Sequence, residues 1–242
     1  MPLLLIPAWV EPVARYMFEV GLPGTLKAAG VALVASTLIG IPLGSLLTIR
    51  FLPSRALIRL YIEVWRGLPI IVTLFLVFFL APELYKGSLE LRFTTFDLEF
   101  DPLTAGVITL TLWGSAQIAE ATRGAVQSIP REQHEAASAL GFGWVGRHAY
   151  VILPQALRRL LPPLVSLLVG IILNTTLIQV IGGAELLETA ERSVERLSSP
   201  EPPEFKPGEI RAIEIYAAVA VVFFLIAFPL TRLATWLERR LV

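Results

Sequence analysis

The sequence has no cysteine, and only two histidines and two methionines occur among its 242 residues. Without cysteine the chain can form no disulfide framework, thiolate nucleophile or iron–sulfur site. Charge is also scarce, because charged residues make up 17% of the chain and hydrophobic residues make up 55%. A soluble domain of this length carries more charge and shorter apolar runs. The composition therefore indicates a membrane protein.

Catalytic and nucleotide-binding patterns are missing as well. The sequence contains no G-x-x-x-x-G-K-[ST] phosphate loop, no H-E-x-x-H and no G-x-S-x-G. Its histidines, His134 and His148, lie in one connection. We expect no catalytic residue, metal site, bound cofactor or nucleic-acid partner, which disfavours an intramembrane enzyme. The first residues, MPLLLIPAWVEPVARY, lack a basic start and a cleavage site, so we expect no cleaved signal peptide.

Five stretches are nearly free of charge and predict membrane-spanning helices. A helix needs roughly 20 apolar residues to cross the hydrocarbon layer. Two stretches reach that length alone. The other three reach it when the aromatic residues and the long basic side chains that flank them are included. Strand-like alternation is absent, so we expect an all-α polytopic membrane protein. We expect residues 1–242 to form a single transmembrane domain. The stretches are 28–49, 67–82, 102–119, 160–184 and 215–231.

Basic residues are concentrated on alternate connections. Basic connections remain in the cytoplasm, so the pattern predicts an N-terminus outside and a C-terminus in the cytoplasm. The two outer loops, about residues 83–101 and 185–213, are instead rich in Asp and Glu. The basic residues of the inner connections are Arg50, Arg55, Arg59, Arg66, Arg123, Arg131, Arg147, Arg158, Arg159, Arg239 and Arg240.

The second outer loop contains two kinds of sequence. AELLETAERSVERL places Leu186, Leu187, Ala190, Val194 and Leu197 near one stripe, which predicts a short helix. SSPEPPEFKPGE is rich in Pro, Glu and Ser, so we expect irregular structure there.

The inner connection of about residues 124–160 contains a helix of small residues. Pro130 suits its first turn, and Gly141 suits the left-handed position that ends it. Pro154 breaks or kinks a following helix, and apolar residues from Trp144 to Leu153 can pack onto the core. The residues alone leave two interpretations open, a connector in the membrane interface and a helix presented to a soluble partner.

The same connection contains residues at a specific spacing. Glu135, Ala136 and Ala137 are followed by three residues and then Gly141, and nine residues later come Val151, one further residue and Leu153-Pro154. This pattern resembles the EAA signature of bacterial ABC importer permeases, in which isoleucine is usual at the position of Val151, and we call the connection the coupling loop after that resemblance. GLPGTLKAAG, YIEVWRGLPIIV, AEATRGAVQSIP, ILPQALRRLLPPL and NTTLIQVIGGAEL are similar to the polar amino acid permease branch.

This resemblance implies a type I ABC importer permease in a bacterial inner membrane, with about five spans and a cytoplasmic coupling helix. Such a permease pairs as a homodimer or heterodimer and binds two ATPase subunits, which hold ATP and Mg. An extracytoplasmic binding protein delivers the amino acid. The resemblance implies that Glu135, Ala136, Ala137, Gly141, Leu153 and Pro154 couple the chain to the ATPase.

Polar residues within apolar stretches are candidates for a substrate path. Gln117 and Glu120 share a helix face with Arg123, and Thr175 and Gln179 are four residues apart. The alternatives are that Glu120 and Arg123 pair at the helix end, and that Asn174, Thr175, Thr176 and Gln179 hydrogen-bond between helices. The family commonly has Tyr at Gln117, and Lys-Asp at Leu173-Asn174, so a neutral lining suits a neutral or zwitterionic substrate. The path candidates are Gln117, Glu120, Asn174, Thr175, Thr176 and Gln179.

Two further readings concern charged side chains. Glu63 and Arg66 are three residues apart, so they form either a surface pair or, with Arg123, an inner gate. A secondary transporter or channel that uses Glu120 is the alternative function. It leaves the EAA signature unexplained, and five spans without repeats would be unusual for it.

Overall fold

The computed structural model describes residues 7–49, 55–80, 101–198 and 211–241. These ranges are almost entirely helical and contain no strand, which confirms the predicted all-α class. The first outer loop up to residue 100 and most of SSPEPPEFKPGE lie outside the described residues.

Ten α-helices are described, and short π or 3-10 segments continue four of them. Three of these segments are π turns: Met17–Gly21 continues α1, Leu76–Leu80 continues α4 and His148–Ile152 continues α7. The fourth is a 3-10 segment, Thr175–Ile181, which continues α8. The helices are α1 Val10–Tyr16, α2 Leu22–Leu46, α3 Arg55–Gly67, α4 Ile70–Phe75, α5 Pro102–Gln127, α6 Arg131–Ala139, α7 Trp144–Arg147, α8 Leu153–Asn174, α9 Leu186–Ser198 and α10 Ala212–Leu241.

Within the described ranges, three helical stretches are long and apolar enough to cross a membrane: Val10–Leu46, Trp144–Ile181 and Ala212–Leu241. Arg55–Gly67 and Ile70–Leu80 make a fourth if the two are one broken span, bent by 106°. The third predicted stretch is part of α5, which is long enough but contains several polar residues. α5 packs against α2 and α8 and is largely buried in protein, so it needs little apolar surface.

The first two predicted stretches misplace their helix ends. The first helical stretch begins at Val10 rather than near residue 28. It includes Arg15 and Glu19, which pair on its exposed side at 3.0 Å. The second stretch is interrupted at Pro69, which has a non-helical ψ of 135° with a φ of −58°. The chain changes direction there, between α3 and α4. α3 buries Ile58 and Ile62 but leaves Leu57 exposed.

The fourth predicted stretch is also not one regular helix. α8 ends at Asn174, the chain continues as a 3-10 segment, and Gly182 turns it with a φ of 77°. α9 then confirms the predicted short helix after the fourth stretch, with Leu186 and Ala190 fully buried against the core.

α2 and α5 approach each other closely through small residues. A Cβ atom on Gly40 would lie 2.7 Å from the Ser115 carbonyl oxygen, and one on Gly44 would lie 2.2 Å from the Ala119 carbonyl oxygen. α2 passes through Pro42 without interruption. Gly40 and Gly44 therefore serve close packing in this helix.

Candidate functional site

The helix of the coupling loop ends as the sequence predicts. Gly141 has a φ of 81°, the Gly141 N–H donates to Ser138 O at 3.0 Å, and the Phe142 N–H donates to Ala137 O at 3.1 Å. These two bonds form a Schellman motif, which turns the chain sharply after α6. The start differs slightly from prediction, because Pro130 caps the helix and Arg131 is its first residue. An extended ψ of 143° at Pro130 places it just outside the first turn.

α6 presents most of its surface to the surroundings. Ala137 is its one buried residue among those described, whereas Ala136 is exposed and Glu135 forms an exposed ion pair with Arg131 at 2.7 Å. Leu140 is 79% exposed and Val145 is 72% exposed, so an apolar surface continues beyond the helix.

The second half of the coupling loop packs less completely than predicted. Ile152 is fully buried and Val151 packs beside it, but Val145 and Ala149 are exposed and Leu153 is only half-buried. The helical backbone also continues through Pro154 instead of breaking. Pro154 lacks the N–H that would bond the carbonyl four residues earlier, and the preceding π turn accommodates its ring at the start of α8.

Side chains that sequence reasoning passed over attach the coupling loop to the rest of the chain. His148 is buried, lies 3.2 Å from the Thr48 hydroxyl at the end of α2, and stacks on Trp144 with ring centroids 4.1 Å apart. Arg159 donates to the Ser128 carbonyl at 2.6 Å. A cavity of about 780 Å³ lies between α2 and the loop, lined by Thr48, Ile49, Arg131, His134, Glu135, Ser138, Trp144, Arg147 and His148.

Five of the predicted residues come together in a second region, here called the charged cluster: Glu63, Arg66, Gln117, Glu120 and Arg123. Arg66 Nε donates to Gln117 Oε1 at 3.1 Å, which joins α3 to α5. Arg123 binds both Glu120 oxygens, at 2.9 and 2.5 Å. All of the cluster except Gln117 lines a cavity of about 220 Å³, together with Leu47, Arg59 and Ile62.

The geometry of the charged cluster bears on the two readings of Glu63 and Arg66. Among the described residues no ion pair joins these two side chains, and Arg66 reaches across to Gln117 instead. The described residues therefore show no direct Glu63–Arg66 pair, and the inner gate stays a prediction. The Glu120–Arg123 pair at a helix end is confirmed as an interaction, whatever further role it has.

The remaining path candidates lie apart from the charged cluster. Asn174 donates to the Gly170 carbonyl at 2.7 Å, Thr175 to Ile172 at 2.7 Å and Thr176 to Leu173 at 2.8 Å, so each bonds its own helix. Because this region is a 3-10 segment with three residues per turn, Thr175 does not share a face with Gln179 as expected. Gln179 hydrogen-bonds Glu191 of α9.

A buried polar joint between α2 and α9 was not predicted. Glu185 is fully buried and accepts hydrogen bonds from the Glu188 N–H at 2.7 Å and from the Thr25 hydroxyl at 3.4 Å. Burial raises the pKa of the Glu185 carboxyl to about 7, against the opposing effect of these hydrogen bonds. Glycines in GLPGT and GGAE, next to Thr25 and Glu185, are the signal that could have pointed to a close contact.

Within the described part of the chain, no group of three His, Cys, Asp or Glu side chains could hold a metal ion.

A family model described as "Binding-protein-dependent transport system inner membrane component" matches residues 36–242. The glutamine transport system permease protein of Escherichia coli (strain K12) is 36% identical over 217 residues, covering 90% of this chain and 89% of that protein. A probable glutamine ABC transporter permease protein of Bacillus subtilis (strain 168) is 28% identical over 225 residues, covering 93% of each chain.

Solved structures are similar as well. The crystal structure of an amino acid ABC transporter with histidines superposes with a TM-score of 0.76 at 26% identity, covering 98% of this chain and 100% of that one. A methionine ABC transporter in an inward-facing conformation superposes with a TM-score of 0.69 at 19% identity, covering 94% of this chain and 98% of that one. At this identity the similarity shows a shared fold only.

Proposed function

Because this chain belongs to the family of binding-protein-dependent transport system inner membrane components, we propose that it couples amino acid import to ATP hydrolysis on separate subunits. Family membership supports a transport subunit in a multi-pass membrane protein, and we propose that the chain itself catalyses no reaction. Transporters of this kind combine a permease with an ATPase and a substrate-binding protein. The observation that carries the coupling proposal is the exposed, sharply terminated helix α6 in the coupling loop.

The coupling step is assigned to the EAA residues. Gly141 ends α6, and the exposed Ala136 offers a small side chain that lets a partner approach closely. Glu135 lies on the exposed side of the same helix. Leu153 and Pro154 connect this surface to α8, so a push on α6 moves a long apolar helix. A two-state element biased by a distant ligand is what such coupling requires.

The proposed assembly contains two ATPase subunits, a second permease chain, identical or related, and an extracytoplasmic amino-acid-binding protein. ATP and Mg are bound by the ATPase subunits. The proposed orientation in the bacterial cytoplasmic membrane has the N-terminus outside and the C-terminus inside, as the basic connections predict. One transmembrane domain would then carry the coupling loop on its inner side and α9 on its outer side.

For the substrate we propose glutamine or another polar, uncharged amino acid. Two of the similar relatives are named as a glutamine permease and a probable glutamine permease. The resemblance stated above implies a charged residue where this chain has Asn174. The proposed path includes Gln117, Glu120, Asn174, Thr175, Thr176 and Gln179, with Glu63, Arg66 and Arg123 at its gate. The Arg66–Gln117 bond supports a gating role because it links two helices on either side of a polar cavity.

The alternative of a channel or secondary transporter using Glu120 is not supported. Both Glu120 oxygens are engaged by Arg123, and the relatives are ABC permeases.

Two measurements test the proposed function. Copurification with the neighbouring ATPase is expected to give a complex whose ATP-driven uptake in proteoliposomes is competed by unlabelled glutamine more strongly than by lysine or aspartate. A complex that forms but takes up none of the amino acids would overturn the function. Competition by lysine alone would overturn the substrate class. Replacing Gln117 with Leu is expected to change the competition profile, and an unchanged profile would make Gln117 structural.

A further inference from the structure

The segment that leads into α9 lies directly against the start of the first long helix. A Cβ atom on Gly24 would lie 2.2 Å from the Ala184 carbonyl oxygen, and one on Gly21 would lie 2.9 Å from the Leu186 Cα. Backbone therefore touches backbone here, and the contact tolerates no side chain at either position.

Hydrogen bonds from both sides complete the contact. The Thr25 hydroxyl accepts from the Leu186 N–H at 3.0 Å and lies 3.4 Å from a Glu185 oxygen, while the Glu188 N–H donates to the other Glu185 oxygen at 2.7 Å. The Glu185 carboxyl thus satisfies the otherwise unpaired N-terminus of α9 and joins it to α2. All of these groups are buried.

The charged neighbours of this joint are engaged elsewhere. Glu188 pairs with Arg192, Glu191 bonds Gln179, and Arg196 lies over the Tyr16 ring at 5.2 Å. No basic side chain among the described residues is paired with Glu185. Its attachment therefore depends on the hydroxyl of Thr25 and the backbone N–H groups of α9.

The joint is connected to the proposed path through only a few residues. Gly182, with a φ of 77°, and Gly183 separate Glu185 from the 3-10 segment. The Gln179–Glu191 bond ties that segment to α9 a second time. Fixing α9 on α2 therefore fixes the position of Thr175 and Gln179 as well.

We propose that Glu185 and Thr25 act as positioning residues for transport, holding α9 on α2 so that the 3-10 segment keeps its place in the path. This inference rests on the proposed function, since the path itself is a proposal. Loss of the joint leaves nucleotide chemistry on the ATPase untouched but lets the segment shift. The transporter then completes some cycles of ATP hydrolysis in which no substrate is moved.

The test uses the full complex in proteoliposomes, with labelled glutamine taken up per ATP hydrolysed as the readout. Thr25→Val removes the hydroxyl's contacts with the Leu186 N–H and with Glu185, and Glu185→Gln weakens the joint from the other side. Each variant is expected to lower that ratio at least about fivefold, the factor that corresponds to the loss of one buried hydrogen bond. Thr25→Ser keeps the hydroxyl and is expected to restore the wild-type ratio. A purely structural role would reduce uptake and ATPase activity together, leaving their ratio unchanged.

Controls separate this inference from the proposed function. If wild type takes up no amino acid, the proposed function fails. If wild type works and Thr25→Val keeps the wild-type ratio, the positioning role is overturned, whatever the fate of Glu185→Gln. Because Glu185→Gln can reduce assembly, the amount of intact complex is measured for each variant by size-exclusion chromatography. A ratio that falls equally in Thr25→Ser and Thr25→Val also contradicts the proposal.

Discussion

The Glu185 carboxyl is fully buried, and burial raises its pKa from the ordinary value of 4.5 to about 7. The folded protein therefore binds this proton more tightly than the unfolded chain. That contribution to stability is fully present below about pH 4.5 and is lost as the pH rises through about 7. Its size is on the order of 3 kcal/mol at most.

Thermal unfolding of wild type and Glu185→Gln in detergent measures this contribution. The melting temperature of wild type minus that of the variant is expected to fall as the pH is raised from 4.5 to 7, and then to level off. Subtracting the variant removes the other titrating groups. A difference that is constant with pH, or that grows with rising pH, would contradict the buried, proton-binding state of Glu185.

Single elements show which structural features a sequence reveals. The end of α6 at Gly141 and the short helix α9 were both predicted, because each depends on local residues, a glycine in one case and an apolar stripe in the other. The break at Pro69 and the 3-10 segment after Asn174 were not predicted. Apolar content is the same in a straight and a bent helix, so hydropathy does not report either feature.

The same limit applies to the candidate site. The Glu120–Arg123 pair follows from a spacing of three residues, whereas the Arg66–Gln117 and Thr25–Glu185 contacts join residues far apart in the chain. No spacing pattern in the sequence indicates either of these two distant contacts. Only the packing of α3 on α5, and of α9 on α2, brings these side chains together.

Two glycines in α2 provide a test variant and a matched control for the contact between α2 and the segment that leads into α9. Gly24→Ala is expected to destabilise the protein by about 1–3 kcal/mol, because the new Cβ would overlap the Ala184 carbonyl. Gly30→Ala is the control, since nothing lies within 4 Å of a Cβ there. Chemical or thermal unfolding of both variants checks this. Equal stabilities would show that α9 is not tightly packed on α2.

For the whole molecule, the lack of cysteine makes the topology directly measurable. Ala136→Cys and Ser198→Cys each add one thiol at an exposed position, in α6 and at the end of α9. In right-side-out vesicles, a membrane-impermeant maleimide is expected to label residue 198 and to leave residue 136 unlabelled until the vesicles are opened. Labelling of both positions from the same side would contradict the proposed orientation.

The central claim is that the coupling loop transmits ATP hydrolysis from a separate subunit. Gly141 needs its positive φ for the Schellman motif, and a β-branched residue there loses at least about 1–2 kcal/mol. Gly143 has an ordinary φ of −64° and open space around it, so Gly143→Ala is the matched control.

The deciding measurement is ATP-driven glutamine uptake, with substrate-stimulated ATPase activity, by reconstituted complexes that carry Gly141→Val or Gly143→Ala. Gly141→Val is expected to abolish both activities while membrane insertion stays normal, and Gly143→Ala is expected to retain both. Uptake by Gly141→Val at the wild-type rate would show that this loop does not couple the chain to its ATPase.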